Sequence, residues 1–267
     1  MICPNCRTLI STAEKQCPYC GAWQPNLWGL GPAINRLFGG RIDVLTLIPT
    51  LCLALYVISL LLDLNAALSL RGGMFDMLSP GRMPLIALGM TYGGSPWWTV
   101  LTATYLHGSL LHIVFNIMWI RQLGPEVGQL YGPARYFIIY TVAGATGFLL
   151  SNYASGYPTI GASGAIFGLL AALIVYGRNS KSQMATLMTR QVWQWAIMLF
   201  VFGFLMSGVN NWAHFGGFVG GWIASQVLIT GAGNRESRFI ILMALLCLML
   251  TGMGFAMSIA TYVSVFF

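Results

Sequence analysis

The chain has 267 residues, 57% of them hydrophobic and 7% charged, against roughly 25% charged residues in a soluble globular protein. That composition excludes an ordinary soluble domain. The formal charge of +7 would suit nucleic acid, but the Lys and Arg residues stand singly rather than in a patch, which argues against a nucleic-acid partner.

Residues 1–22 read as a separate unit. Cys3-Pro4-Asn5-Cys6 and Cys17-Pro18-Tyr19-Cys20-Gly21 are two Cys-x-x-Cys pairs, and four thiolates at that spacing suit tetrahedral Zn2+. Proline at the second position and glycine after the last cysteine fit the tight turns that aim both sulfurs at one ion. Two disulfides are the alternative, and they need an oxidising compartment. A redox role also competes, because Cys17-Pro18-Tyr19-Cys20 is similar to the glutaredoxin motif, yet so short a unit cannot build the βαβ scaffold that chemistry uses. Cys52 and Cys247 stand alone in apolar runs and read as packing residues. No apolar core of a secretion signal opens the chain; the first long apolar run, at Val44, is expected to serve as targeting signal and anchor.

A linker over 23–43 precedes apolar spans at 44–62, 101–120, 136–153, 160–177, 192–206, 212–230 and 239–263. Several approach 20 residues, the length at which a helix crosses the hydrocarbon core, so seven transmembrane helices are expected. With the N-terminus in the cytoplasm, Arg7, Lys15, Arg36, Arg41, Arg121, Arg135, Arg178, Lys181, Arg190, Arg235 and Arg238 lie inside, and only Arg71 and Arg82 outside. This is a strong positive-inside bias. It puts the cysteine unit in a reducing compartment, favouring metal over disulfide, and the C-terminus outside. The external segment 63–100 carries Trp97-Trp98, an interfacial anchor.

Polar groups within apolar spans are costly and point to function, although a membrane His or Asn can also simply join helices by hydrogen bonding. All three histidines, His107, His112 and His214, fall in or beside spans. His112 and Asn116 share a helix face, and His107 is expected near the outer start of that same helix. Gly161-Ala162-Ser163-Gly164 opens the fourth span, where unpaired backbone N–H groups at a helix start can hold an oxyanion. Ala213-His214-Phe215-Gly216-Gly217 opens the sixth. Gly217 with Gly221, and Gly216 with Gly220, repeat at the spacing that lets helix backbones approach, and Gly164 with Gly168 offer a matching face. Such packing brings His214 within reach of Ser163, with Phe167 one turn below against the imidazole. Topology adds a further check: spans two, four and six run the same way, so His112, Ser163 and His214 share one outer layer, with Asn116 a turn deeper.

Chemistry assigns roles. Ser163 needs a base, His214, which later protonates the leaving amine. The Ser163 backbone N–H, His112 and Asn116 stabilise the oxyanion. The six acids are Glu14, Asp43, Asp63, Asp76, Glu126 and Glu236; none lies in a span beside His214, so a Ser–His dyad is expected rather than a triad.

These residues resemble the rhomboid family of intramembrane serine proteases. The match rests on His107-x4-His112-x3-Asn116, Gly161-x-Ser163-Gly164 and Ala213-His214-x2-Gly217-x3-Gly221. The resemblance covers about 44–230 and implies an all-α polytopic membrane protein with a six-helix core there; a seventh transmembrane helix over 231–267 and the small cytoplasmic zinc ribbon in front are additions to it. It implies an endopeptidase that acts through an acyl-enzyme without a catalytic cofactor and opens to the outer side of the bilayer. Its substrates would be transmembrane proteins, entering past the fifth helix with Phe200, Phe202 and Phe204. His107 would support the edge of the site. The family often has Trp-Arg eight residues before its first histidine; here the pair is Trp98-Thr99, which bears on the loop's conformation.

Other functions fit the sequence less well. A non-proteolytic rhomboid-like protein that binds membrane clients would not need Ser163 and His214. A channel or transporter would line its spans with ionisable residues. A metalloprotease needs His-Glu-x-x-His and an aspartyl protease paired membrane aspartates, and neither occurs. Three histidines without a nearby carboxylate make a poor metal site. The zinc unit reads as a stability or docking module for a cytoplasmic partner.

Overall fold

The computed structural model describes residues 3, 8–11, 14, 16–20, 44–69, 77–180, 182–206, 208–229 and 236–266, and among them only helices and isolated bridges are regular. Cys6 and the expected linker at 23–43 lie outside the described residues. A chain segment removed from water must satisfy its own backbone, and a helix does so internally. The helices are α1 (Val44–Leu61), α2 (Leu64–Ala67), α3 (Arg82–Ala87), α4 (Thr99–Thr102, continued by a 3-10 turn Ala103–Tyr105), α5 (Leu110–Tyr131), α6 (Pro133–Ala154), α7 (Ser163–Asn179), α8 (Gln183–Leu205), α9 (Asn211–Leu228) and α10 (Arg238–Phe266). α1, α6 and α10 are each long and apolar enough to cross a membrane. The chain is a polytopic, all-helical membrane protein.

Two expectations need correction. The span expected at 101–120 is not one helix: Thr99–Tyr105 and Leu110–Tyr131 meet at 93°. Ser109 is extended (φ −164°, ψ 167°), and its Oγ accepts from the His112 N–H at 3.3 Å, so a new N-cap starts α5. His107 therefore precedes the helix instead of riding on it. The fifth span, expected at 192–206, is the longer α8, whose first turns carry Gln183, Arg190 and Gln191 and so escape an apolar window.

α7 is the central helix. Every residue from Gly164 to Val175 is buried, enclosed by α5, α6, α8 and α9. Small residues set this arrangement. A Cβ on Gly217 would lie 2.6 Å from the carbonyl carbon of Gly164, and one on Gly221 would lie 2.7 Å from the Gly168 oxygen. The other pair, Gly216 and Gly220, faces α6 instead: a Cβ on Gly216 would lie 3.1 Å from the Gly147 Cα, and Thr146 Oγ1 donates to the Gly216 carbonyl at 3.1 Å. α9 thus has two glycine faces, one for each neighbour.

α5 turns into α6 through Gly132 alone (φ +98°), with Pro133 in the first helical position. Glu236, between α9 and α10, accepts from the N–H groups of Ala134 (2.8 Å) and Arg135 (3.1 Å), placing a carboxylate on the positive end of α6. α10 packs outside the bundle against α3, α4 and α6. Trp98 Nε1 donates to Ser258 Oγ at 3.1 Å, and the Phe255 and Tyr105 rings lie 6.2 Å apart.

Candidate active site

Ser163 is the first residue of α7 and half-buried; His214 lies in the first turn of α9 with 7% of its surface exposed. Ser163 Oγ and His214 Nε2 are 2.9 Å apart. The imidazole stacks on Phe167, one turn along α7, with centroids 4.6 Å apart and planes inclined 21°. The glycine contacts of α7 with α9 make this distance attainable, because side chains there would hold the helices apart.

The start of α9 is fixed by Asn210. Its Oδ1 accepts from the Trp212 N–H at 3.1 Å, and its amide nitrogen contacts Ser151 Oγ (2.7 Å), Thr159 Oγ1 (3.0 Å) and Ser155 Oγ (3.1 Å). One side chain thereby ties the helix that carries His214 to the end of α6 and to the loop leading to Ser163. Sequence reasoning passed over Asn210 and its neighbour Asn211, whose Oδ1 is 3.2 Å from His214 Nδ1. The available signal was an N-cap residue type just before an apolar glycine-rich run.

Gly161 turns the chain into α7 with φ +120°, where a side chain is disfavoured, and its N–H donates to the Ala103 carbonyl at 2.9 Å. A Cβ there would lie 2.5 Å from His112 Nε2, so this glycine admits the His112 ring beside the first turn of α7. His112 Nδ1 accepts from the Gly108 N–H at 3.3 Å, which puts the ring proton on Nε2, the nitrogen facing Gly161. Asn116 does not join this group directly: its amide nitrogen donates to the His112 carbonyl on the same helix, at 2.8 Å. His107 is fully buried and meets the His112 ring edge-on at 5.0 Å.

Hydroxyls hold the loop at Thr99. Thr99 Oγ1 contacts the Pro96 carbonyl (2.7 Å), Ser95 Oγ (2.9 Å) and Thr91 Oγ1 (3.0 Å), and Asn152 Nδ2 donates to Thr91 Oγ1 at 2.7 Å. Backbone bonds Thr159 N–Thr91 O (2.8 Å) and Gly93 N–Gly156 O (3.0 Å) join this segment to the loop before α7.

Far from this site in sequence, Cys3, Cys17 and Cys20 place their sulfurs within 4.8 Å of one another, and Cys3 and Cys20 are 3.8 Å apart. Tetrahedral Zn–S bonds of about 2.3 Å require sulfurs about 3.8 Å apart, so the donor set fits that ion. Burial pushes the Cys17 thiol up to about 11; binding a cation there must release its proton.

A bundle of apolar helices around one buried helix, with a serine–histidine contact at that helix's start, defines the class as a polytopic membrane protein. Residues 94–231 match the family model described as the Rhomboid domain. The chain is 35% identical over 153 residues to the rhomboid protease GluP of Bacillus subtilis, covering 57% of this chain and 30% of that protein. It is 27% identical over 201 residues to RHOMBOID-like protein 9, chloroplastic, of Arabidopsis thaliana (68% and 45%). It is 34% identical over 130 residues to the rhomboid-type serine protease 2 of Emericella nidulans (47% and 25%). The chain belongs to the rhomboid family, and it spans less than half the length of each of these three relatives.

Proposed function

We propose that this protein is an intramembrane serine endopeptidase that cuts transmembrane proteins with Ser163 as nucleophile and His214 as general base. The observation that carries the reading is the 2.9 Å contact between Ser163 Oγ and His214 Nε2, made between two helices and backed by the Phe167 ring. His214 Nε2 takes the hydroxyl proton as Oγ attacks the carbonyl carbon of the scissile peptide bond. Negative charge then gathers on the carbonyl oxygen, beside the free N–H groups at the start of α7 and the Nε2–H of His112. Asn116 joins them once its amide turns from the His112 carbonyl. The imidazolium passes its proton to the leaving amine, Ser163 keeps the acyl group as an ester, and water activated by the same histidine hydrolyses it. These steps need no metal or organic cofactor.

Depth supports the substrate class. The 17 residues of α7 span about 25 Å at 1.5 Å per residue, less than the roughly 30 Å hydrocarbon core. A central helix of that length starts below the membrane surface, so its first residue meets a bond of another transmembrane segment rather than of a soluble chain. In this reading all seven long helices cross the bilayer, 44–230 is the protease core and 231–267 the added helix. The excess of Lys and Arg then puts the N-terminus in the cytoplasm and the site toward the outer face. Residues 1–22, through Cys3, Cys6, Cys17 and Cys20, hold a structural Zn2+ and offer a cytoplasmic docking unit.

The test is labelling by a serine-directed fluorophosphonate in detergent or liposomes. Wild type is expected to label, and Ser163→Ala and His214→Ala are not. Equal labelling of all three would remove the assignment.

A further inference from the structure

We infer that Asn211 is a positioning residue for His214, its carboxamide oxygen holding the imidazole in the tautomer that leaves Nε2 free to accept from Ser163. The inference rests on the Ser163–His214 reading above and adds a third member to it. A neutral imidazole carries one ring proton, on either nitrogen. For Nε2 to act as base the proton must sit on Nδ1, and something must accept it there. Asn211 Oδ1, 3.2 Å from Nδ1, is that acceptor. The opposite amide orientation would press an N–H onto Nδ1, drive the ring proton to Nε2 and disable the base.

Geometry makes the contact a fixed one. Asn211 precedes His214 by three residues on α9, so both side chains share one helix face. Its other side is closed by α8: a Cβ on Gly203 would overlap Asn211 Oδ1 and lie 3.2 Å from its Cγ. The imidazole is thus held by Phe167 on its face, Asn211 at Nδ1 and Ser163 at Nε2. An amide also suits the location. Among the described residues the imidazole's hydrogen-bond partners are Asn211 and Ser163, with no carboxylate, and an ionised carboxylate within the bilayer is costly; an amide oxygen sets the tautomer without placing a charge there. Asn210 has a different task, since its oxygen caps the helix and its nitrogen ties the neighbouring loop.

The experiment compares second-order labelling rates by the same fluorophosphonate for full-length wild type, Asn211→Leu, Asn211→Asp and Gly203→Ala, with thermal unfolding of each. It adds 15N spectra of histidine-labelled protein to read the His214 tautomer. Asn211→Leu is expected to label about three- to tenfold more slowly, the worth of one net hydrogen bond. Its His214 proton moves from Nδ1 toward Nε2. Asn211→Asp keeps an acceptor oxygen and returns the rate to within about twofold of wild type, a rescue that a merely structural residue would not show. Gly203→Ala displaces the same carboxamide from another helix, so its loss does not add to that of Asn211→Leu in the double variant, and it carries the test if Asn211→Leu fails to fold. Wild-type labelling by Asn211→Leu, or an equal fall in Leu and Asp variants, overturns the inference and leaves the dyad standing. Folded wild type that does not label at all overturns both.

Discussion

Replacing Gly217 by alanine adds a single methyl group at the α7–α9 crossing, where it would lie 2.6 Å from the carbonyl carbon and 2.8 Å from the Cα of Gly164. Both are backbone atoms beside Ser163 and cannot rotate away. The Gly164 carbonyl oxygen lies closer still, and ordinary contact begins near 3.4 Å, so the helices must part by at least about 0.8 Å. His214 lies one turn above Gly217, and an opening of that size stretches its 2.9 Å contact with Ser163 to about 3.7 Å, beyond hydrogen-bond range. His214 then no longer reaches the Ser163 hydroxyl, and on the proposed function fluorophosphonate labelling should fall on the order of 100-fold, the lower end of what general-base catalysis supplies. Overpacking should also cost about 1–3 kcal/mol of stability, seen as an earlier thermal unfolding transition. Gly252→Ala is the control: nothing lies within 4 Å of a Cβ there, so labelling should stay at the wild-type rate. Gly217→Ala that labels and melts as wild type would refute the claim that glycine contact sets the Ser163–His214 distance.

Gly161→Ala forces a side chain into φ +120° and onto His112 Nε2. Hydrolysis of a transmembrane reporter should drop on the order of 100-fold, as when one oxyanion donor is lost, and an unchanged rate would separate His112 from the oxyanion. Cys17→Ser should abolish zinc bound by the purified chain, read by elemental analysis, while fluorophosphonate labelling persists; retained zinc would contradict the Cys3–Cys17–Cys20 geometry. Trp98→Phe removes the donor to Ser258 and should lower stability by about 0.5–1.5 kcal/mol. Ser258→Ala should do the same, without additivity in the double variant; additive losses would place the two residues in separate roles.

Much of this was legible because apolar runs, turn residues and rare polar groups act locally. The runs that begin near Val44, Tyr136 and Phe239 mark helices directly, and Ser163 and His214 stand out as polar residues at the starts of apolar glycine-rich segments. The break at Gly108-Ser109 was missed because a helix cap and a buried polar residue look alike inside a hydrophobic window. α8 begins earlier than its apolar stretch, since its first turns carry polar residues. The partnership of Gly216 and Gly220 with α6 could not be told from that of Gly217 and Gly221 with α7, because spacing marks a small face without naming what covers it. The hydroxyl network around Asn210 joins residues more than fifty positions apart, and Ser258 meets Trp98 across 160. Pairings of that range depend on the packed bundle.

The most direct measurement is to locate the adduct. Wild-type protein treated with fluorophosphonate in liposomes, digested and analysed by mass spectrometry, should carry the phosphonyl group on Ser163 and nowhere else, with no adduct in His214→Ala. An adduct on another serine, or one on Ser163 that forms equally fast without His214, would contradict the proposal that this histidine activates this hydroxyl.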